Sequence, residues 1–162
     1  MSILQARRYF TGAGQLKFPA TQNPSTDANT LDDYEEGTFT PTIAFGGSSS
    51  GVTYSVQTGG YIKIGKTVFI RINLTLTSNG SGTGSASIGG LPFTSGSVPG
   101  NFAFTYWAGM SGIVGNMMGN VNSSATTINL FHSGAAAAAS LTDTNITDTA
   151  DMYLGGVYQA SA

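Results

Sequence analysis

Hydrophobic and polar residues alternate without a break from Thr67 to Thr77. Val68, Ile70, Ile72, Leu74 and Leu76 point to one side, and Thr67, Phe69, Arg71, Asn73, Thr75 and Thr77 to the other. A two-residue period carried by β-branched and aromatic side chains predicts a strand with one apolar face. At about 3.4 Å per residue the run spans roughly 37 Å. One strand cannot shelter five large aliphatic side chains, so a second sheet has to cover them. Runs bounded by Gly, Ser, Asn or Pro predict further strands over Thr38–Phe45, Val52–Gln57, Gly60–Ile64, Ser85–Ile88, Phe102–Ala108, Ile113–Met118, Thr126–His132 and Met152–Gln159. Gly65-Lys66 reads as a tight reversal, and GGSSSG, SNGSGTG and TSGSVPG as longer turns. With no convincing helix between them, these strands predict an all-β antiparallel β-sandwich or jelly roll. The run Ala135–Ala139 is too short to nucleate a helix and reads as a strand edge or a loop packed against a neighbour.

Before the strands comes an arm. Gly12, Gly14, Pro19 and Pro24 interrupt any helix beyond a short one over Ser2–Tyr9, and TQNPSTDANT has loop composition. An arm with so little apolar content needs something to hold it. We therefore divide the chain into an N-terminal arm and acidic linker, residues 1–36, for anchoring, and a sandwich domain, residues 37–162.

Composition adds a second expectation. Charged residues make up 9% of the 162 residues, against about 25% in an ordinary soluble domain, while Gly numbers 23 and Ser and Thr together 39. A surface so weakly charged is expected to be partly buried in an assembly. All six basic residues lie between Arg7 and Arg71, which argues against nucleic acid as a partner, since tracking phosphates needs clustered cations. There is no cysteine, hence no disulfide frame. No apolar run approaches the ~18 residues of a spanning helix, so membrane insertion is not expected either.

Candidate chemistry is sparse. Asp32, Asp33, Glu35 and Glu36 surround Tyr34 and read either as a solvated acidic turn or as a cation or docking site. Crowded carboxylates repel and need solvent or a cation, which Arg7, Arg8 or Lys17 of a neighbouring chain would supply. His132, Ser133 and Asp143 or Asp148 sketch a triad, but adjacent strand residues point to opposite faces, so His132 is read as a structural or surface histidine and no enzymatic activity is expected. The segment Asp143–Asp151 fails as an EF-hand, with Asp148 at the turn-glycine position and Leu154 where the bidentate Glu belongs, so no metal or cofactor is expected. The segment Asn101–Asn120 holds the only tryptophan and three methionines. Tyr106 and Trp107 with Asn101 and Asn116 suit a sugar-binding platform. The alternative is core or subunit contact, with Phe102, Phe104 and Tyr106 on one side of the strand and Ala103, Thr105 and Trp107 on the other. Met110, Met117 and Met118 then fill gaps along an apolar axis between subunits.

The strings LKFPATQNPSTDANTLDDYEEGTFTPT, GGYIKIGKTVFIRINLTLTS and GSASIGGLPFTS, with the closing LGGVYQA, resemble the C-terminal β-sandwich module of tailed-bacteriophage tail fibres and tailspikes. The resemblance is densest over Leu16–Thr94. It implies a homotrimeric jelly roll similar to the TNF/C1q type, at the tip of a fibre or spike on the virion, with variable loops facing the bacterial surface. In such proteins the acidic segment joins an upstream shaft to the sandwich; here about thirty residues precede it. The implied partners are two further copies of the chain, other phage tail or capsid proteins through the arm, and bacterial surface polysaccharide. The alternative role is a capsid or tail decoration protein anchored by its arm, without a receptor.

Overall fold

A computed structural model describes residues 14–21, 24–27, 29–134 and 137–161. The helix expected over Ser2–Tyr9, with Arg7 and Arg8, lies outside the described residues, as do Ala135 and Ala136.

Ten strands form one antiparallel sheet that curls over itself into a sandwich, and the described residues include no helix. They are β1 (Tyr34–Phe39), β2 (Thr42–Phe45), β3 (Val52–Ile64), β4 (Thr67–Asn79), β5 (Ala86–Gly89), β6 (Gly100–Met110), β7 (Met117–Val121), β8 (Ile128–Ser133), β9 (Ala138–Ser140) and β10 (Ile146–Gln159). The order is β1-β3-β4-β10-β6-β7-β8-β5-β2, with β9 on β8. The long strands β3, β4, β10 and β6, with β1, make one layer; the shorter β7, β8, β5 and β2 make the other.

The alternation in β4 does what its period requires. Val68, Ile70, Ile72, Leu74 and Leu76 are all buried, and they meet Ile43, Phe45, Ile88, Ile128 and Leu130 of the short-strand layer. Met152, Leu154 and Tyr158 of β10 complete the same core.

Several boundaries differ from expectation, each for a physical reason. The run Thr38–Phe45 is broken at Thr40-Pro41, because proline has no N–H to give a ladder. Its halves, β1 and β2, end up at opposite ends of the strand order. The strands expected over Val52–Gln57 and Gly60–Ile64 fuse into the 13-residue β3, bulged near Ser55. The strand expected from Ile113 starts only at Met117, since Gly112 and Gly115 hold positive φ of 63° and 64° and keep the preceding chain in a loop. Met117 is buried in the core rather than on an axis, Met110 packs partly against it, and Met118 alone faces outward.

The seam between β2 and β3 is closed by side chains. Ile43 N–H donates to the Tyr54 hydroxyl at 2.9 Å, and Gln57 Nε2 donates to the Pro41 carbonyl at 3.0 Å. At one end of the sandwich, the buried Tyr158 hydroxyl donates to the Phe93 carbonyl at 2.9 Å and accepts from Phe93 N–H at 3.2 Å.

Burial pushes the Tyr158 phenol up from its ordinary 10.0 to about 12. Tyr61 also rises to about 12, chiefly because it donates to the Glu35 carboxylate. Both folded-state values lie above the unfolded one, so this stabilisation is complete below pH 10 and is lost as pH rises through 12. Urea midpoints measured against pH should hold up to about pH 10 and then fall. In Tyr158→Phe the alkaline fall should be shallower; an unchanged slope would remove Tyr158 from this account.

Candidate functional site

The chain enters the sandwich through a lock. Lys63 and Asp33 form an ion pair with both side chains 6% exposed, and Lys63 Nζ lies 5.3 Å from the Phe93 ring centre. Gly65 N–H donates to the Asp33 carbonyl at 2.9 Å. Tyr61 packs edge-on against Phe93 with ring centres 5.3 Å apart. Ser25 N–H donates to Asp32 at 2.9 Å, and the Tyr34 hydroxyl to Glu36 at 3.0 Å. Asp33 thus finds a cation within the chain, at Lys63. Nothing local in LDDYEE predicts this, because β1 and β3 are paired at a distance of thirty residues (Tyr34 opposite Ile64, Glu35 opposite Lys63).

From that lock β4 runs away for 13 residues, roughly 43 Å at 3.3 Å each. Trp107, level with Leu74, lies just past the middle of β4, while the loops after β4 and β6 and those before β3 and β10 lie at the end remote from the acidic segment. There Val114 N–H donates to His132 Nδ1 at 3.0 Å, so the histidine pins the loop between β6 and β7. The sketched triad does not assemble. Ser133 Oγ donates to the Asn116 carbonyl, Asp143 accepts from Gly84 N–H at 2.7 Å, and Asp148 accepts from Asn79 N–H at 2.8 Å.

The four proposed sugar-contacting residues are not brought together. Across β6 and β10, Tyr153 pairs with Tyr106 but Leu154 pairs with Phe104, leaving Thr105 as a bulge. The extra residue shifts the phase of the strand. Tyr106 moves to the outer face, with its ring centre 5.0 Å from that of Tyr153, while Trp107 comes opposite the buried Met152 and stays 43% exposed. The faces expected for Tyr106 and Trp107 are therefore exchanged. Asn101 shares the outer face with Tyr106, and Asn116 is exposed in the loop before β7.

The outer face of the long-strand layer is the feature that sequence reading underrated. One cross-strand row runs Glu36, Ile62, Phe69, Val157, Asn101, Asn120, Asn129, Ser87 around the molecule. Its apolar part lies on the long strands, where Ile62, Phe69 and Val157 are 37%, 49% and 40% exposed; on the short strands the row is polar. The next row runs Thr38, Gly60, Arg71, Gly155, Ala103. Ile62, Phe69, Val157 and Asn101 of the first row and Gly60, Arg71, Gly155 and Ala103 of the second floor a trough of about 1350 Å³ that also includes Thr58, Asn73 and Tyr153. A smaller hollow of about 500 Å³ beside it reaches Glu36. A contiguous exposed apolar surface of this kind marks an interaction site.

No protein family matches the sequence, and no curated protein does. Among solved structures, the Dettilon tailspike protein is similar in fold, with a TM-score of 0.68 and 20% identity over 79% of this chain. The matched part is 24% of that tailspike, so this chain spans about a quarter of its length.

Proposed function

We propose that this chain is a virion protein of a tailed bacteriophage: a homotrimeric tip of a tail fibre or tailspike that recognises host-surface polysaccharide, helps the fibre trimerise, or both. Residues 1–36 are the arm and linker through which other tail or capsid proteins hold it, and residues 37–162 are the sandwich. The observation that carries this reading is the apolar outer face of the long-strand layer. Ile62, Phe69 and Val157 stand in register across β3, β4 and β10, and a second and third copy of the chain would cover them. The tailspike-like fold supports the setting. The remote loops would meet a surface ahead of the linker, with Trp107 exposed on the strand behind them. Three weak sites on one rigid tip would reinforce each other.

Light scattering on a sizing column should give about 50 kDa, three times the 16.6 kDa of one chain. On an array of bacterial O-chains and capsular polysaccharides, Trp107→Ala should lower binding about tenfold or more without changing the mass. A monomer at 16.6 kDa would overturn the trimeric tip. A trimer that binds no polysaccharide would favour the decoration role.

A further inference from the structure

Resting on that self-association, we infer that Arg71 and Asn73 set the register in which two copies meet: Arg71 takes a carboxylate, Glu36 of the neighbouring copy, and Asn73 Oδ1 takes a hydrogen-bond donor. Three observations meet in the trough. First, Asn73 Oδ1 is buried and has no hydrogen-bond partner. A buried acceptor left without a donor is destabilising, so the group is out of place in a lone chain. Second, Arg71 is exposed and makes no ion pair among the described residues, and its cross-strand neighbours on both sides are glycines, Gly60 and Gly155. A Cβ at Gly60 would meet nothing nearer than the Gly37 carbonyl oxygen at 3.9 Å. The single chain therefore has room for a side chain there; the glycine keeps the flank of the guanidinium clear for something that arrives from outside. Third, Glu36 is the one carboxylate among the described residues lining the trough and its adjoining hollow.

The occupant is a second copy of the chain. The trough exceeds the ~300–1,000 Å³ of small-molecule sites and is an apolar sheet surface, which suits another protein surface. Covering Arg71 without a counter-charge would strongly oppose assembly, and three Arg71 side chains meeting on a symmetry axis would repel each other. A head-to-tail contact removes both difficulties. The β1 edge of one copy, carrying Glu36, lies against the trough of the next, and the rotation closes into a ring. Polar groups inside an apolar contact then permit one register among several that apolar burial alone would allow.

The test is charge reversal read by native mass at micromolar concentration. Arg71→Glu and Glu36→Arg should each weaken association about tenfold or more, and the doubly reversed chain should recover most of it. Asn73→Leu should weaken assembly while leaving the unfolding midpoint of the diluted monomer unchanged or higher. A trimeric wild type whose double reversal shows no recovery, or whose assembly Asn73→Leu strengthens, would overturn this inference and leave the trimer standing. If the double reversal moves only monomer unfolding, the pair is internal and the inference also falls. A monomeric wild type would overturn the self-association itself, and this inference with it.

Discussion

Replacing Lys63 by alanine is expected to cost about 3–5 kcal/mol of folding stability, as breaking a buried ion pair from one side does. Both side chains of the Lys63–Asp33 pair are 6% exposed, so the abandoned Asp33 carboxylate has little access to water. The loss should spread beyond the pair. Lys63 also lies over Phe93, whose backbone exchanges hydrogen bonds with Tyr158. The double variant Lys63→Met with Asp33→Leu should recover most of the loss, because an apolar pair of similar volume removes both desolvation penalties. Urea unfolding of the three variants closes the cycle. A loss below about 1 kcal/mol for Lys63→Ala would mean that the pair behaves as a screened surface pair. Recovered stability in the double variant would still leave the linker without its charge lock, so protease cleavage near residues 24–33 separates linker docking from global folding.

Gly156→Ala and Gly60→Ala should behave as opposites, although both sit in Gly-Gly pairs on strands flanking β4. A Cβ at Gly156 would lie 2.2 Å from the Asn101 carbonyl oxygen and 2.8 Å from Phe102 Cα. Those are backbone atoms of β6, paired with β10, and they cannot swing aside. Gly156→Ala should therefore destabilise the chain by about 3 kcal/mol, by forcing β6 and β10 apart. Gly60→Ala should leave unfolding within about 0.5 kcal/mol, since its Cβ enters open space. If the chain self-associates as proposed, its effect falls on assembly, since Gly60 stands opposite Arg71. Comparable unfolding midpoints for the two variants would contradict the close approach of β6 to β10.

Much of the fold is legible because strand alternation is a local property. The five aliphatic residues of β4 announce a buried face whatever covers them, and all five are buried. Turn positions such as Gly65 are equally local: its φ of 57° suits a residue without Cβ. The candidate site was less legible, for two reasons. The phase of β6 is set by a bulge at Thr105, and a one-residue slip exchanges faces for every side chain beyond it. Nothing around Thr105 marks that slip, so simple alternation gives Tyr106 and Trp107 each other's faces. The acidic segment reads as a solvated turn or as a cation or docking site, and neither reading reaches Lys63, which stands thirty residues from Asp33 and is brought to it only by the β1–β3 pairing.

Alone, then, the sequence determined an all-β chain, the inward face of its longest run, and a weakly charged composition. Those follow from side-chain period and composition, which each segment carries by itself. Strand neighbours were decided only in three dimensions: β1 and β2, contiguous in sequence, part to opposite ends of the order, while β10 inserts between β4 and β6. That insertion puts Val157 beside Phe69 and Gly155 beside Arg71, and so makes the trough. Pairing energy comes from contacts between distant segments, so the outer face exists only once the sheet has closed.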